Sequence, residues 1–187
     1  MTKTSASSPQ DAADVLQHVE SVRHQTRSLL QAFWFPLVVF GALTLASALV
    51  QWVWPGPAVG AYWAVAGLLG GATVGLYYHS RELRLGLSNP AGPYVLTAIG
   101  LMSGAFVLPA ITSGDLQQVA STFAVAAGYL VFAWLERSRT LAGLAAVMVV
   151  VPVLVLVSGV GHPGAVNAAA VGAITLAVGV ASRRPAA

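Results

Sequence analysis

Residues Leu141–Val157 read LAGLAAVMVVVPVLVLV, without one charged, amide or hydroxyl side chain. A surface helix or a half-exposed strand would show polar residues at a period of 3.6 or 2, and this stretch shows neither. Its length meets the short end of the roughly 17–25 residues that a helix needs to cross hydrocarbon. Polar Glu136–Thr140 stops it on one side, and the turn-rich Gly159–Gly164, with His162-Pro163, stops it on the other. It reads as a membrane-spanning helix.

Five more runs of the same character flank it, giving expected spans over 35–54, 61–78, 94–111, 119–135, 141–157 and 165–181. None of the six contains Asp, Glu, Lys or Arg. Turn chemistry separates them at Pro55-Gly56-Pro57, at Ser88–Pro93 and at Ser113-Gly114-Asp115. The expected fold is all-α: a polytopic bundle of six transmembrane helices over 35–182, with a cytoplasmic leader over 1–34 and a tail over 183–187. Composition agrees. Of 187 residues, 57% are hydrophobic and 8% charged, against roughly 25% charged in soluble domains. Cysteine is absent, which excludes disulfides, thiolate metal sites and sulfur redox chemistry.

Charge gives the bundle a direction. Lys3, Arg23 and Arg27 precede the first run, Arg81 and Arg84 follow the second, Arg137 and Arg139 the fourth, Arg183 and Arg184 the sixth. No cation follows the first, third or fifth. Cytoplasmic loops collect Lys and Arg, so the alternation predicts six crossings with both termini cytoplasmic. The net charge of +3 then faces an anionic inner leaflet, and nucleic acid is not an expected partner. Heavy Arg, Ala, Val and Gly usage points to a GC-rich bacterial genome and an inner, plasma-membrane location. No cleavable signal peptide is expected, because Asp11, Asp14 and Glu20 occupy the first thirty-odd residues. Trp and Tyr fall at both expected interfaces: Trp34, Tyr77, Tyr78, Tyr94 and Trp134 within, Trp52, Trp54, Tyr62 and Trp63 without.

The leader has a different pattern. Ser8-Pro9-Gln10-Asp11 is a helix start, and Val15, Val19, Val22, Thr26, Leu29 and Phe33 recur at alternating steps of four and three. Pro36 is expected to end or kink this helix. With Arg23 and Arg27 near lipid headgroups it would lie on the inner leaflet, and its seam could also serve a partner or a second copy. Val15, Val19, Val22, Arg23, Arg27 and Leu29 are its candidate contact residues.

Small residues mark candidate packing or oligomer faces. Gly67, Gly71 and Gly75 form overlapping GxxxG units in the second run, Gly100 and Gly104 one in the third, and Ala165, Ala169, Ala173, Ala177 and Ala181 a stripe in the sixth. Pro109 and Pro152 lie inside spans, as static kinks or as hinges. Ser80-Arg81, Ser138-Arg139 and Ser182-Arg183 close alternate spans, from an internal duplication or from the shared need for a polar stop.

One group of residues is a candidate site. Gln51, Asp115, Gln118, His162 and Asn167, with Gln117, Ser121 and Thr122 nearby, fall near the expected outer face. An Asp115–His162 pair could bind a cation or move a proton, and both could equally be solvated loop residues. Enzyme signatures fail. Ser103-Gly104 follows Leu101-Met102, not the Gly-x that an intramembrane serine protease needs, and no His-Glu-x-x-His occurs. No acid or histidine sits within a span, which argues against proton coupling. No cofactor or metal is expected.

The favoured expectation is a non-enzymatic accessory or scaffold protein that works through its cytoplasmic face, as a homo-oligomer or with a partner membrane protein. A transport component for a neutral or apolar solute is the first alternative. In size and number of crossings the chain resembles the substrate-binding subunits of energy-coupling-factor vitamin transporters, a likeness of dimensions that implies a role for Asn89 and Gly92 or for Gln51 and Asn167. A membrane enzyme with an unrecognised pocket, using Asp115, His162, His79 or Glu82, is the second.

Overall fold

The computed structural model describes residues 33–85 and 92–183, which form six helices and no strand. The helices are α1 (Trp34–Val53), α2 (Pro57–Leu85), α3 (Gly92–Ile111), α4 (Gly114–Glu136), α5 (Arg139–Ser158) and α6 (Pro163–Ala181). Five of them are long and apolar enough to cross a membrane, as a multi-pass membrane protein requires; the apolar part of α3, Val95–Ile111, is shorter. The leader residues Val15 to Leu29, Asn89 and the end of the tail lie outside the described residues.

Several helices outrun their apolar runs. α2 begins at Pro57, where the missing N–H of proline is harmless, and continues past Arg81 and Arg84. α4 begins at Gly114, with Asp115 in its first turn facing the positive end of the helix dipole. Pro36 falls in the first turn of α1, where it breaks no hydrogen bond. α3 and α5 run on through Pro109 and Pro152.

Packing follows small residues. A Cβ built on Gly41 would lie 2.7 Å from the backbone nitrogen of Leu176; on Gly172, 2.7 Å from that of Leu45; on Gly179, 2.9 Å from that of Val38. These pairings run in opposite directions along the two chains, so α1 and α6 are antiparallel and in backbone contact. Lipid gives helices no hydrophobic reason to associate, so close approach across glycine supplies the attraction. α1 packs more extensively against α6 than any other two helices pack. α4 and α5 complete the centre. Leu37, Ala133, Leu141 and Leu144 form one buried cluster, and Ala126, Met148 and Val171 another.

α2 and α3 are peripheral. Only 11% of the α2 span is buried, against 44% of α6. α2 is tied to α1 by Tyr62, whose hydroxyl donates to the Leu43 carbonyl at 2.7 Å. α3 rests on α4, with Leu101 over Gly128 and Gly104 3.1 Å from the Ala124 Cβ, measured from a built Cβ. Leu68, Leu69, Leu76, Leu96, Phe106 and Trp134 are exposed. Water would not tolerate so much uncovered apolar surface on a monomer, and lipid would.

The turn between α4 and α5 carries a strained residue. Arg137 adopts φ 51°, ψ 36° at the end of α4. Its N–H donates to the Trp134 carbonyl at 3.4 Å, and that of Ser138 to Ala133 at 3.0 Å, a Schellman closure in which arginine occupies the position glycine usually takes. Left-handed backbone costs a residue with a Cβ about 1–2 kcal/mol, whereas a glycine adds about 0.5–1 kcal/mol of chain entropy. Arg137→Gly should therefore exceed Arg137→Ala in stability by about 1 kcal/mol, read from detergent-unfolding midpoints.

Candidate functional site

The two ends of the bundle differ in chemistry. At one end meet the end of α1 and the starts of α4 and α6, whose side chains are neutral amides, a hydroxyl and an imidazole. Asn167, 3% exposed, donates from Nδ2 to the Thr122 Oγ1 at 2.7 Å. Its Oδ1 is buried with no hydrogen-bond partner. One turn earlier, the Gly164 N–H donates to the Gln118 Oε1 at 3.3 Å. The Gln51 Oε1 crowds the same glycine, leaving no space for a Cβ. The His162 ring lies on Trp52, centroids 4.7 Å apart.

Gln51, Gln118 and Asn167 are thus gathered on three helices, and His162 flanks them. Asp115 stands apart, exposed at the start of α4. Its carboxylate makes no ion pair with the His162 ring, which packs on indole instead. Among the described residues no group of three His, Cys, Asp or Glu could hold a metal ion. Gln51 is part-buried and Gln118 exposed, so the amides lead from the surface inward to Asn167. Such a set can exchange hydrogen bonds with a neutral polar group.

No family model, curated protein or solved structure matches the chain. Function is therefore read from geometry.

The opposite end is aromatic and cationic. Phe35 stacks on Tyr77 with centroids 4.2 Å apart, and Trp34 meets both rings edge-on. Arg81 lies over Tyr77, Arg183 over Trp34. Arg137 and Arg139 join this end, because Ala133 and Leu141 pack on Leu37. Each described cation that can be placed by contact is here, and Asp115 is at the other end.

Within the chain the motif glycines pack unequally. Gly71, Gly75 and Gly100 meet nothing within 4 Å, Gly67 meets the Met102 methyl at 3.5 Å and the Trp63 ring at 3.9 Å, and Gly104 alone of that set packs tightly. In α6, Ala169, Ala173, Ala177 and Ala181 are exposed, while Gly172 and Gly179 are buried. Gly41, Gly172 and Gly179 escaped the GxxxG pattern because they repeat at seven residues or stand alone. A search for glycines one heptad apart would have found the pair in α6.

Proposed function

We propose a non-enzymatic accessory or scaffold protein of the bacterial inner membrane, with six crossings and both ends of the chain cytoplasmic. Its working surface is the cationic end together with the leader. The observation that carries this reading is the segregation of charge: arginines at one end, neutral amides with Asp115 at the other, and no Asp, Glu, Lys, Arg or His within the apolar runs. A bundle so built has no relay for protons or ions through the hydrocarbon. Purification in mild detergent followed by mass spectrometry should recover a stoichiometric membrane partner or a homo-oligomer. A bare monomer would count against it.

The orientation has its own test, helped by the lack of any native cysteine. Ser113→Cys, between α3 and α4, should react with a membrane-impermeant maleimide on intact cells. Ser182→Cys, after α6, should react only after lysis. The reverse pattern would invert the topology.

A second reading, a transport component for a neutral solute, is favoured by the orphaned Asn167 Oδ1. A buried acceptor without a donor costs about 1–3 kcal/mol, which a hydroxyl or amide of a bound solute would relieve. Thermal melts across a panel of neutral metabolites should show a stabilising compound, and Asn167→Ala should abolish that shift.

A further inference from the structure

We propose that the cationic end binds the headgroup of an anionic phospholipid, between Arg81 and Arg183 on the aromatic plate of Trp34, Phe35 and Tyr77. The inference rests on reading the helices as membrane spans. Its residues come from three elements: Trp34 and Phe35 open α1, Tyr77 and Arg81 lie in the last three turns of α2, and Arg183 follows α6. The Arg183 Cζ is 5.3 Å from the centroid of Trp34. The Arg81 Cζ is 5.8 Å from that of Tyr77, and its Nη1 donates to the Tyr77 hydroxyl at 3.4 Å. Trp34 and Tyr77 meet edge-on with centroids 6.3 Å apart, so one contiguous aromatic cluster carries both guanidinium groups.

A ring face attracts a guanidinium without using its in-plane N–H donors. Arg81 spends one donor on a phenol and Arg183 none on any described side chain. The Glu136 carboxylate also lies at this end, where it and Arg81 both act electrostatically on Tyr78. Two positioned guanidinium groups with unused forks match the paired oxygens of a phosphodiester. Trp and Tyr mark the headgroup level of a bilayer, where such a phosphate lies. A zwitterionic lipid would bring its own cation to a site that already holds two, and would be disfavoured. The bound anion would also fasten α2, a peripheral helix, to α1 and α6.

Native mass spectrometry of the full-length protein in detergent tests this, with phosphatidylglycerol, phosphatidylcholine or inorganic phosphate titrated separately. Phosphatidylglycerol should be retained in preference to phosphatidylcholine. Arg81→Gln with Arg183→Gln should weaken its retention at least about tenfold, since both guanidinium forks that face the phosphodiester are removed. Arg84→Gln, a change of equal charge one turn from Arg81, should leave retention within twofold of the parent, about. Tyr77→Phe should keep most of the retention, whereas Tyr77→Leu should lose it. Equal retention of the two lipids, an equal loss in Arg84→Gln, or displacement by inorganic phosphate would overturn the proposal. Maleimide labelling at Ser113→Cys and Ser182→Cys reports the membrane reading separately. A chain that passes that test and fails this one lacks only the lipid site.

Discussion

Gly172→Val should part α1 from α6 and lower stability by about 3 kcal/mol or more, at or beyond the upper end of ordinary overpacking. A Cβ on residue 172 meets the Leu45 nitrogen at 2.7 Å and the Gly41 carbonyl at 3.1 Å. Both are backbone atoms, so no rotamer change can make room. Valine adds two methyl groups beyond that Cβ and would drive the helices apart along the contact. Gly71→Val is the matched control, because nothing lies within 4 Å of a Cβ there. It should change stability by no more than about 0.5 kcal/mol. Gly70→Val should fall between them, since its neighbours are the ends of the Leu43 and Phe40 side chains. Detergent-induced unfolding followed by circular dichroism gives the three midpoints. Equal midpoints for the variants at 71 and 172 would refute the close approach of α1 and α6.

The second large effect concerns Asn167. Asn167→Asp, assayed at pH 8, places a full charge on a side chain that is 3% exposed and hydrogen-bonded to the Thr122 hydroxyl. An unpaired buried charge costs about 3–5 kcal/mol, several times the cost of losing a neutral interaction. Asn167→Leu removes one interhelical hydrogen bond, worth about 0.6 kcal/mol on average within membranes, and also removes the orphaned acceptor. The order expected in thermal melts is parent and Leu close together, Asp far below. An Asp variant as stable as the parent would mean that a cation or water reaches this depth from the Gln118 end, and the amides would then line an entry path.

Much of the fold is legible because hydrocarbon thickness is a one-dimensional constraint: a run such as Leu141–Val157 declares itself by length and composition. Helix ends are less legible. Hydropathy marks where hydrocarbon stops, whereas backbone hydrogen bonding continues through Arg81 and Arg84 in α2 and begins at Gly114 in α4, ahead of Val119. Small-residue faces are harder still. The alanine stripe of α6 and its Gly172–Gly179 face are both rows of small residues, and the second is the one that meets a complementary surface. That surface, Leu37, Val38, Gly41 and Leu45, lies on a helix more than a hundred residues earlier. Gln51, Gln118 and Asn167 share polar character near span ends, and α1, α4 and α6 bring them together. Asp115 shares the character and misses the cluster, because the first turn of α4 holds it outward among exposed residues. The aromatic plate was visible as an interfacial belt. That Arg81 and Arg183 would share it depends on α1 lying between α2 and α6.

The pairing of α1 with α6 also bears on synthesis. Chains emerge in order from the amino end, so α1 enters the bilayer first among the described helices and meets its main partner after four others have followed. Until then its Val38–Gly41–Leu45 face has only lipid against it, and contacts this distant in sequence form late. A ribosome stalled before Pro163 would leave an insertion intermediate whose first helix is unmatched.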